Sequence, residues 1–399
     1  MYRTSITAAF KNLALGIAGL SLVSFSPASA QQSQVPSQSL PSENVSLRKE
    51  VQHAVSKGVA WLRSHQDPKG FWSTPDHPAI TALALVALVE EPGVQDRPLD
   101  SEAVKKGYAY LLSCAKPDGG IYVKDLLNYN TAVSMMALLA ANRPEDKPLL
   151  LKARQFLIGL QADFNERGKV DNPFDGGIGY GSKEKHSDMA NTLQALEALY
   201  YSRHLAADEN LADRRDLNWP AVIHFIQSCQ NLPTHNSERW ASGDPQNKGG
   251  FIYYPGHSMA GETNLPGGRV ALRSYGSISY AGLLSYIYAH LQREDPRVQA
   301  VVDWLRGNFT LEENPGLGAQ GLFYYYYTLT KALTIYGADY VETTDGRKIK
   351  WREDVAVKLI NLQDKDGFWV NANGRWWEKD PVLVTAYMAI TLEIMQRRL

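Results

Sequence analysis

Two kinds of apolar pattern alternate along the chain. The first is amphipathic. In residues 51–65, Val51, Val55, Val59 and Leu62 recur at spacings of three and four, the period of a helix with one face turned to solvent. Residues 103–114, 149–160, 219–229, 298–305 and 351–362 read the same way. The second pattern is apolar on nearly every side, with Ala or Gly at close intervals, as in residues 81–88. Residues 131–138, 192–199, 279–286, 326–333 and 385–392 align on it without gaps, which places Thr81, Thr131, Thr192, Ser279, Tyr326 and Thr385 in one column. A helix apolar all round is buried all round. The chain therefore predicts six hairpins, each an outer half-solvated helix followed by an inner buried one.

A turn with its own signature joins the two helices of each hairpin. Gln66-Asp67-Pro68-Lys69-Gly70-Phe71-Trp72 returns near the far end as Gln363-Asp364-Lys365-Asp366-Gly367-Phe368-Trp369. Weaker copies centre on Gly119, Gly176, Gly249 and Gly321. Recurrence at this specificity marks a repeat architecture. The glycines suit turns that need positive φ. The aromatic fits between neighbouring outer helices, and the Gln can satisfy backbone groups left open at the turn or at the next helix start. An open array of repeats needs polar caps at its ends, and neither end repeat has one. The expected fold is thus all-α: an α/α toroid of six helical hairpins, closed around a central cavity. Cys114 and Cys229 both end outer helices, in repeats two and four. Closure sets them tens of ångströms apart, on the order of several times the ~7 Å reach of a disulfide, so free, partly buried thiols are expected.

The remaining composition changes this picture little. Arg3 and Lys11, an apolar stretch over residues 13–25 and the small residues Ala28-Ser29-Ala30 read as an export signal, residues 1–30. A Gln, Ser and Pro-rich leader follows over residues 31–46, and one toroid domain over residues 47–399. That order predicts a periplasmic or secreted protein. The chain carries 41 basic and 42 acidic residues with no Lys/Arg cluster, so nucleic acid is not an expected partner.

The Gln-x-x-x-Gly-x-Trp turns and Thr-Ala-x-x-Leu inner helices resemble those of the prenyltransferase and squalene-hopene cyclase repeat superfamily, over essentially all of residues 47–399. The resemblance implies the toroid, here a single one, and a cavity suited to an apolar ligand. It does not carry over the activities. Protein prenyltransferases hold zinc with Asp, Cys and His, and here neither cysteine lies on an inner helix. Triterpene cyclases protonate an alkene with an Asp-x-Asp-Asp motif, which this sequence lacks. No cofactor is expected. No metal is expected either, because His77, His186, His235 and His257 are scattered without His-x-x-x-His or Cys-x-x-Cys spacing.

The candidate site residues come from one end of the inner helices. Four positions before the Thr column stand His77, Asp188 and Tyr275; one position before it stand Asn130 and Asn191. Asp188, with His186 nearby, is the candidate catalytic acid, since desolvation in an apolar cavity raises a carboxyl pKa. The alternative is that Asp188 caps its helix through the amide of Asn191. His77, Asn130, Asn191, Tyr275, Tyr280, Tyr324 and Tyr325 are candidate ligand-binding residues, the tyrosines through their ring faces. Residues 231–250 and 255–274 are long enough to form a lid or binding loop. Trp376-Trp377, in the insertion 371–380, would mark a ligand or peripheral membrane surface if exposed; the favoured expectation is that they are buried and seal the last hairpin. Three functions follow in order: a binding or enzymatic toroid for an isoprenoid-type or other apolar ligand, a non-catalytic scaffold, and a carbohydrate-active enzyme. The last needs paired lumenal carboxylates, and Asp188 has only Glu197 and Asp125 as distant partners.

Overall fold

The computed structural model describes residues 44–92, 98–181, 186–207 and 216–399. The export signal and most of the expected leader lie outside these residues. Six outer helices are α1 (Val45–Ser64), α3 (Glu102–Ser113), α5 (Lys147–Ile158), α7 (Trp219–Ser228), α9 (Pro296–Gly307) and α11 (Trp351–Leu362). Six inner helices alternate with them: α2 (Pro78–Val89), α4 (Leu127–Ala141), α6 (Met189–Ala207), α8 (Gly276–Tyr288), α10 (Leu322–Tyr336) and α12 (Pro381–Gln396).

The burial follows the two patterns. Every residue of α2 is buried, whereas α1 buries Leu47, Val51, Ala54, Val55, Gly58, Val59 and Leu62 on one stripe. Each inner helix packs on the next, and α12 packs on both α1 and α2. The ring is closed, with the last repeat seated on the first.

The repeated turn does the stitching. At Gly70, Gly119, Gly176, Gly249 and Gly367 the backbone has φ between 86° and 101°, a region where side-chain-bearing residues are strained. Each of these glycines also lies against the backbone of the following outer helix, where an added Cβ would come within 2.0–2.8 Å of a backbone atom. The Gln66 side chain donates to Gly70 O at 2.9 Å and to Ala103 O on the next outer helix at 2.8 Å. Gln363 does the same to Gly367 O and Ala54 O, across the ring closure. The Thr column has a specific purpose. Its hydroxyl accepts the main-chain N–H of the residue two places after the turn glycine: Trp72 on Thr81, Ile121 on Thr131, Ile178 on Thr192, Phe251 on Ser279 and Trp369 on Thr385.

The fifth repeat departs from the expectation. Gly321 is not at the junction of outer and inner helix but caps the start of α10 in a left-handed conformation. Tyr326 fills the Thr column, and its hydroxyl reaches Leu311 O at 2.6 Å instead. A Gln-Gly pair followed by aromatics mimics the turn signature at a helix start. Cys114 and Cys229 are the C-caps of α3 and α7, both free and both buried.

The long segments of repeat four are pinned by polar contacts. Asn231 donates to Leu272 O and Ser274 Oγ and accepts from Ser242 N. Two strands, β1 (Glu262–Leu265) and β2 (Arg269–Leu272), form an antiparallel hairpin in which Glu262 faces Leu272. A second short hairpin pairs β3 (Val341–Glu342) with β4 (Lys348–Ile349).

Candidate functional site

The ring encloses a cavity of about 360 Å³, within the size range of small-molecule sites. Its wall is built from the first turns of all six inner helices, so these helices run parallel, with their N-termini at the cavity end. Ile80, Leu126, Ala190, Ile278 and Leu383 supply aliphatic surface, and Tyr129, Tyr180, Tyr253, Tyr275, Tyr324 and Tyr387 supply rings. Burial pushes the phenols of Tyr129, Tyr275 and Tyr387 up, so they stand as neutral hydroxyls. Tyr253 and Tyr275 come from the segments that bracket the β1–β2 hairpin, which brings the irregular fourth repeat to the cavity wall.

Four of the expected residues line this cavity: His77, Asn191, Tyr275 and Tyr324. Three others do not. Asn130 is spent on structure, accepting Ala79 N at 3.1 Å and donating to Asp125 O at 2.9 Å. Tyr280 is packed against Tyr325 with ring centroids 5.7 Å apart. The Tyr325 hydroxyl is bound to Thr310 O. Both rings are buried; Tyr325 belongs to a run of consecutive tyrosines on α10, whose helical turn points most of them away from the lumen.

The expected catalytic pair also lies outside the wall. Asp188 is fully buried and caps α6: its Oδ1 accepts Asn191 N at 2.9 Å and its Oδ2 accepts Asn191 Nδ2 at 2.8 Å. Asn191 and Tyr253, which both hydrogen-bond it, line the cavity, and Asp188 does not. Desolvation pushes its pKa up to about 6, against the lowering effect of its Asn191 and Tyr253 hydrogen bonds. His186 packs into an aromatic cluster, 4.4 Å from the Tyr254 ring and 6.3 Å from Phe174.

At the mouth, His77 Nδ1 lies 3.6 Å from Asp125 Oδ1, and its ring meets the edge of Trp377 at 5.0 Å. Trp376 and Trp377 are 40% and 51% exposed, not buried as expected. Both hold left-handed φ, 54° and 67°, a conformation costly for bulky side chains. The Trp376 indole covers Gly321, where any Cβ would meet the ring at 3.0 Å. The same insertion supplies Glu378, a residue the sequence reading did not single out and the one carboxylate lining this cavity among the described residues. Burial raises its pKa. Its oxygens accept Tyr324 N at 2.7 Å and Asn371 Nδ2 at 2.6 Å, so it caps α10 from 54 residues away.

Deeper in the lumen lies a smaller chamber of about 50 Å³, which shares Tyr129, Gln194 and Tyr387 with the cavity above. The Tyr129 and Tyr387 hydroxyls are 3.0 Å apart and form the partition. Charged groups gather here. Lys331 on α10 is paired with Glu197 on α6, both side chains 4% exposed, and contacts the Tyr327 ring. Glu393 is buried on α12 with neither carboxylate oxygen hydrogen-bonded. Arg397 is taken by Glu90 at 2.9 Å.

Burial, reinforced by Glu90, holds the Glu393 pKa well above its ordinary value, with Arg397 opposing. A raised carboxyl pKa means the folded state holds the proton more tightly than the unfolded chain. The associated stability is complete below the ordinary value near 4.5 and is lost as pH rises through the folded value. Glu393→Gln is therefore expected to raise stability at pH 7 by on the order of 1–3 kcal/mol, with the gain vanishing near pH 4. Urea denaturation at the two pH values checks it.

Among the described residues, no group of three or more His, Cys, Asp or Glu side chains is arranged to hold a metal. No described helix is long and apolar enough to cross a membrane.

The architecture has solved counterparts. A ligand-free variant of the type II terpene cyclase MstE from Scytonema superposes with a TM-score of 0.50 at 12% identity, covering 89% of this chain and 100% of that one. A cellobiose 2-epimerase from Bacillus thermoamylovorans gives 0.49 at 14% identity, covering 88% and 98%. A protein from Actinoplanes gives 0.45 at 14%, covering 86% and 99%. At 12% identity the likeness to the cyclase variant bears on the fold alone, the α/α toroid. No protein-family model matches the chain, and no curated protein matches it.

Proposed function

We propose that the toroid is a receptor for an apolar small molecule of isoprenoid type, held in the upper cavity. The observation that carries this reading is the wall itself: aliphatic side chains and six tyrosine rings around about 360 Å³, with a single carboxylate whose oxygens are already taken. Ring faces suit methyl-rich, unsaturated chains through dispersion and through the electron-rich π surface. The exposed indoles at the mouth extend that surface outward.

Binding is favoured over acid-started cyclisation. A proton donor must aim a free O–H at the ligand. Asp188 does not line the cavity, and Glu378 is engaged at the start of α10. A glycosidase is disfavoured on the same ground: it needs two lumenal carboxylates, and among the described residues this wall holds one, Glu378.

The test is extraction. Organic extracts of the purified full chain, compared with those of Ala190→Phe, are expected to hold a copurifying isoprenoid that the variant lacks. Ala190 lines the cavity from the first turn of α6, so the added ring occupies ligand space. Equal lipid content in both proteins would rule the cavity out as the binding site.

A further inference from the structure

The inner helices run parallel, so residues a turn apart stand at successive depths in the lumen, about 1.5 Å per residue. That register divides the lumen into two levels. Ala190 on α6 and Leu383 on α12 line the upper cavity alone. Glu197 and Ile390, further along the same two helices, line the deeper chamber alone. Tyr129, Gln194 and Tyr387 line both and form the layer between them. Gln194 follows Ala190 by one helical turn, which sets this layer roughly 6 Å below the first turn of α6.

The layer is fixed from the side and from beneath. Tyr129 comes from α4 and Tyr387 from α12, and their hydroxyls meet at 3.0 Å. The Tyr387 ring stacks on Tyr327, with centroids 4.9 Å apart and 30° between the planes. Tyr327 belongs to the deeper chamber. It carries the Lys331 ammonium 4.5 Å from its ring centroid, and that ammonium is paired with Glu197. A ring held at its tip by a hydrogen bond and at its face by a second ring has little room to swing aside. Beyond it the chamber has aliphatic walls, with Leu83, Val86, Val133, Met136 and Ile390 among them. An apolar chain could lie there if the tyrosines let it pass.

We propose that Tyr129 and Tyr387 determine the length of ligand the protein accepts: the apolar chain descends from the mouth until it meets their rings and stops. The inference rests on the upper cavity being the site of an apolar ligand and adds what limits that ligand's size. Affinity grows with the apolar area withdrawn from water, so each isoprene unit that fits above the layer tightens binding. A unit that cannot pass the tyrosines is left at the mouth and adds little. Removing one ring joins the cavity of about 360 Å³ to the chamber of about 50 Å³ and adds the space of the ring itself.

The experiment titrates the full chain calorimetrically with geraniol, farnesol, geranylgeraniol and geranylfarnesol, each one isoprene unit longer than the last. In the unaltered protein each added unit is expected to tighten binding about tenfold up to one length and to add nothing beyond it. Tyr387→Ala should carry the gain one unit further. Tyr129→Ala opens the layer from the other helix, should do the same, and serves if Tyr387→Ala does not fold. Tyr387→Phe keeps the ring on Tyr327 and gives up only the hydroxyl bond, so its limit should match that of the unaltered protein. A purely structural role would lower the melting temperature of the alanine variants without moving the limit. A gain that continues through the whole series in the unaltered protein overturns the inference. So does a limit that stays in place in a folded alanine variant, or one that moves as far in Tyr387→Phe as in Tyr387→Ala. Each of these results leaves the apolar-cavity reading standing. Failure of every alcohol in the series to bind removes that reading and this inference with it.

Discussion

Trp369→Ala is expected to destabilise the protein by about 3–5 kcal/mol, the cost of emptying a large aromatic site in a packed core. Trp369 is fully buried at the closure of the ring. Its indole Nε1 donates to Leu359 O at 2.8 Å, and its ring edge lies on Gly58 of α1, so close that a Cβ there would meet Cζ3 at 2.9 Å. One side chain thus joins the last outer helix to the first. Trp72 makes the same contacts one repeat on, with Leu62 O at 2.7 Å and Gly107 of α3. The comparison separates burial from closure. Both alanine variants should lose stability in thermal and urea unfolding. Only the Trp369 variant should also show early protection loss in α1, α11 and α12 by hydrogen exchange. An unchanged midpoint in Trp369→Ala would refute the idea that these tryptophans hold the ring together.

Lys331→Met is expected to cost a similar amount, about 3–5 kcal/mol, because it leaves the Glu197 carboxylate buried without its partner. The pair lies on facing inner helices in the lumen, with both side chains 4% exposed. The double variant Lys331→Met with Glu197→Leu should recover most of the loss, since two apolar groups need no compensation there. A double-mutant cycle in urea measures the coupling directly. Additive losses would show that the two charges do not depend on each other.

The sequence and the structure agree most closely where the code is repetitive. Six apolar runs of eight residues and five glycine turns each repeat one local solution, so an error in one copy is corrected by the others. That redundancy made the ring legible, including its closure. It failed at Gly321, where a left-handed cap before a tyrosine-rich helix looks like the turn signature. The site was less legible because its residues come from single positions that do not repeat. Column alignment brought His77, Asn191 and Tyr275 to the lumen. It also nominated Asp188, because register along the chain does not show which side chain stands in front of which. Glu378 and the tryptophan pair come from a short insertion with no counterpart in the other repeats. A signal for the deeper chamber was present: Glu197, Lys331 and Glu393 interrupt helices that are otherwise apolar all round. A charge in such a helix is buried with a partner or at a cost, and here it is both.

The central claim is that the lumen, not the outer surface, receives an apolar molecule. Its most direct test is titration of an apolar fluorescent probe into the full chain and into Ala190→Phe. One saturable site in the unaltered protein, weakened more than tenfold in the variant with an unchanged melting temperature, is the predicted result. Equal, saturable binding by both proteins would contradict it.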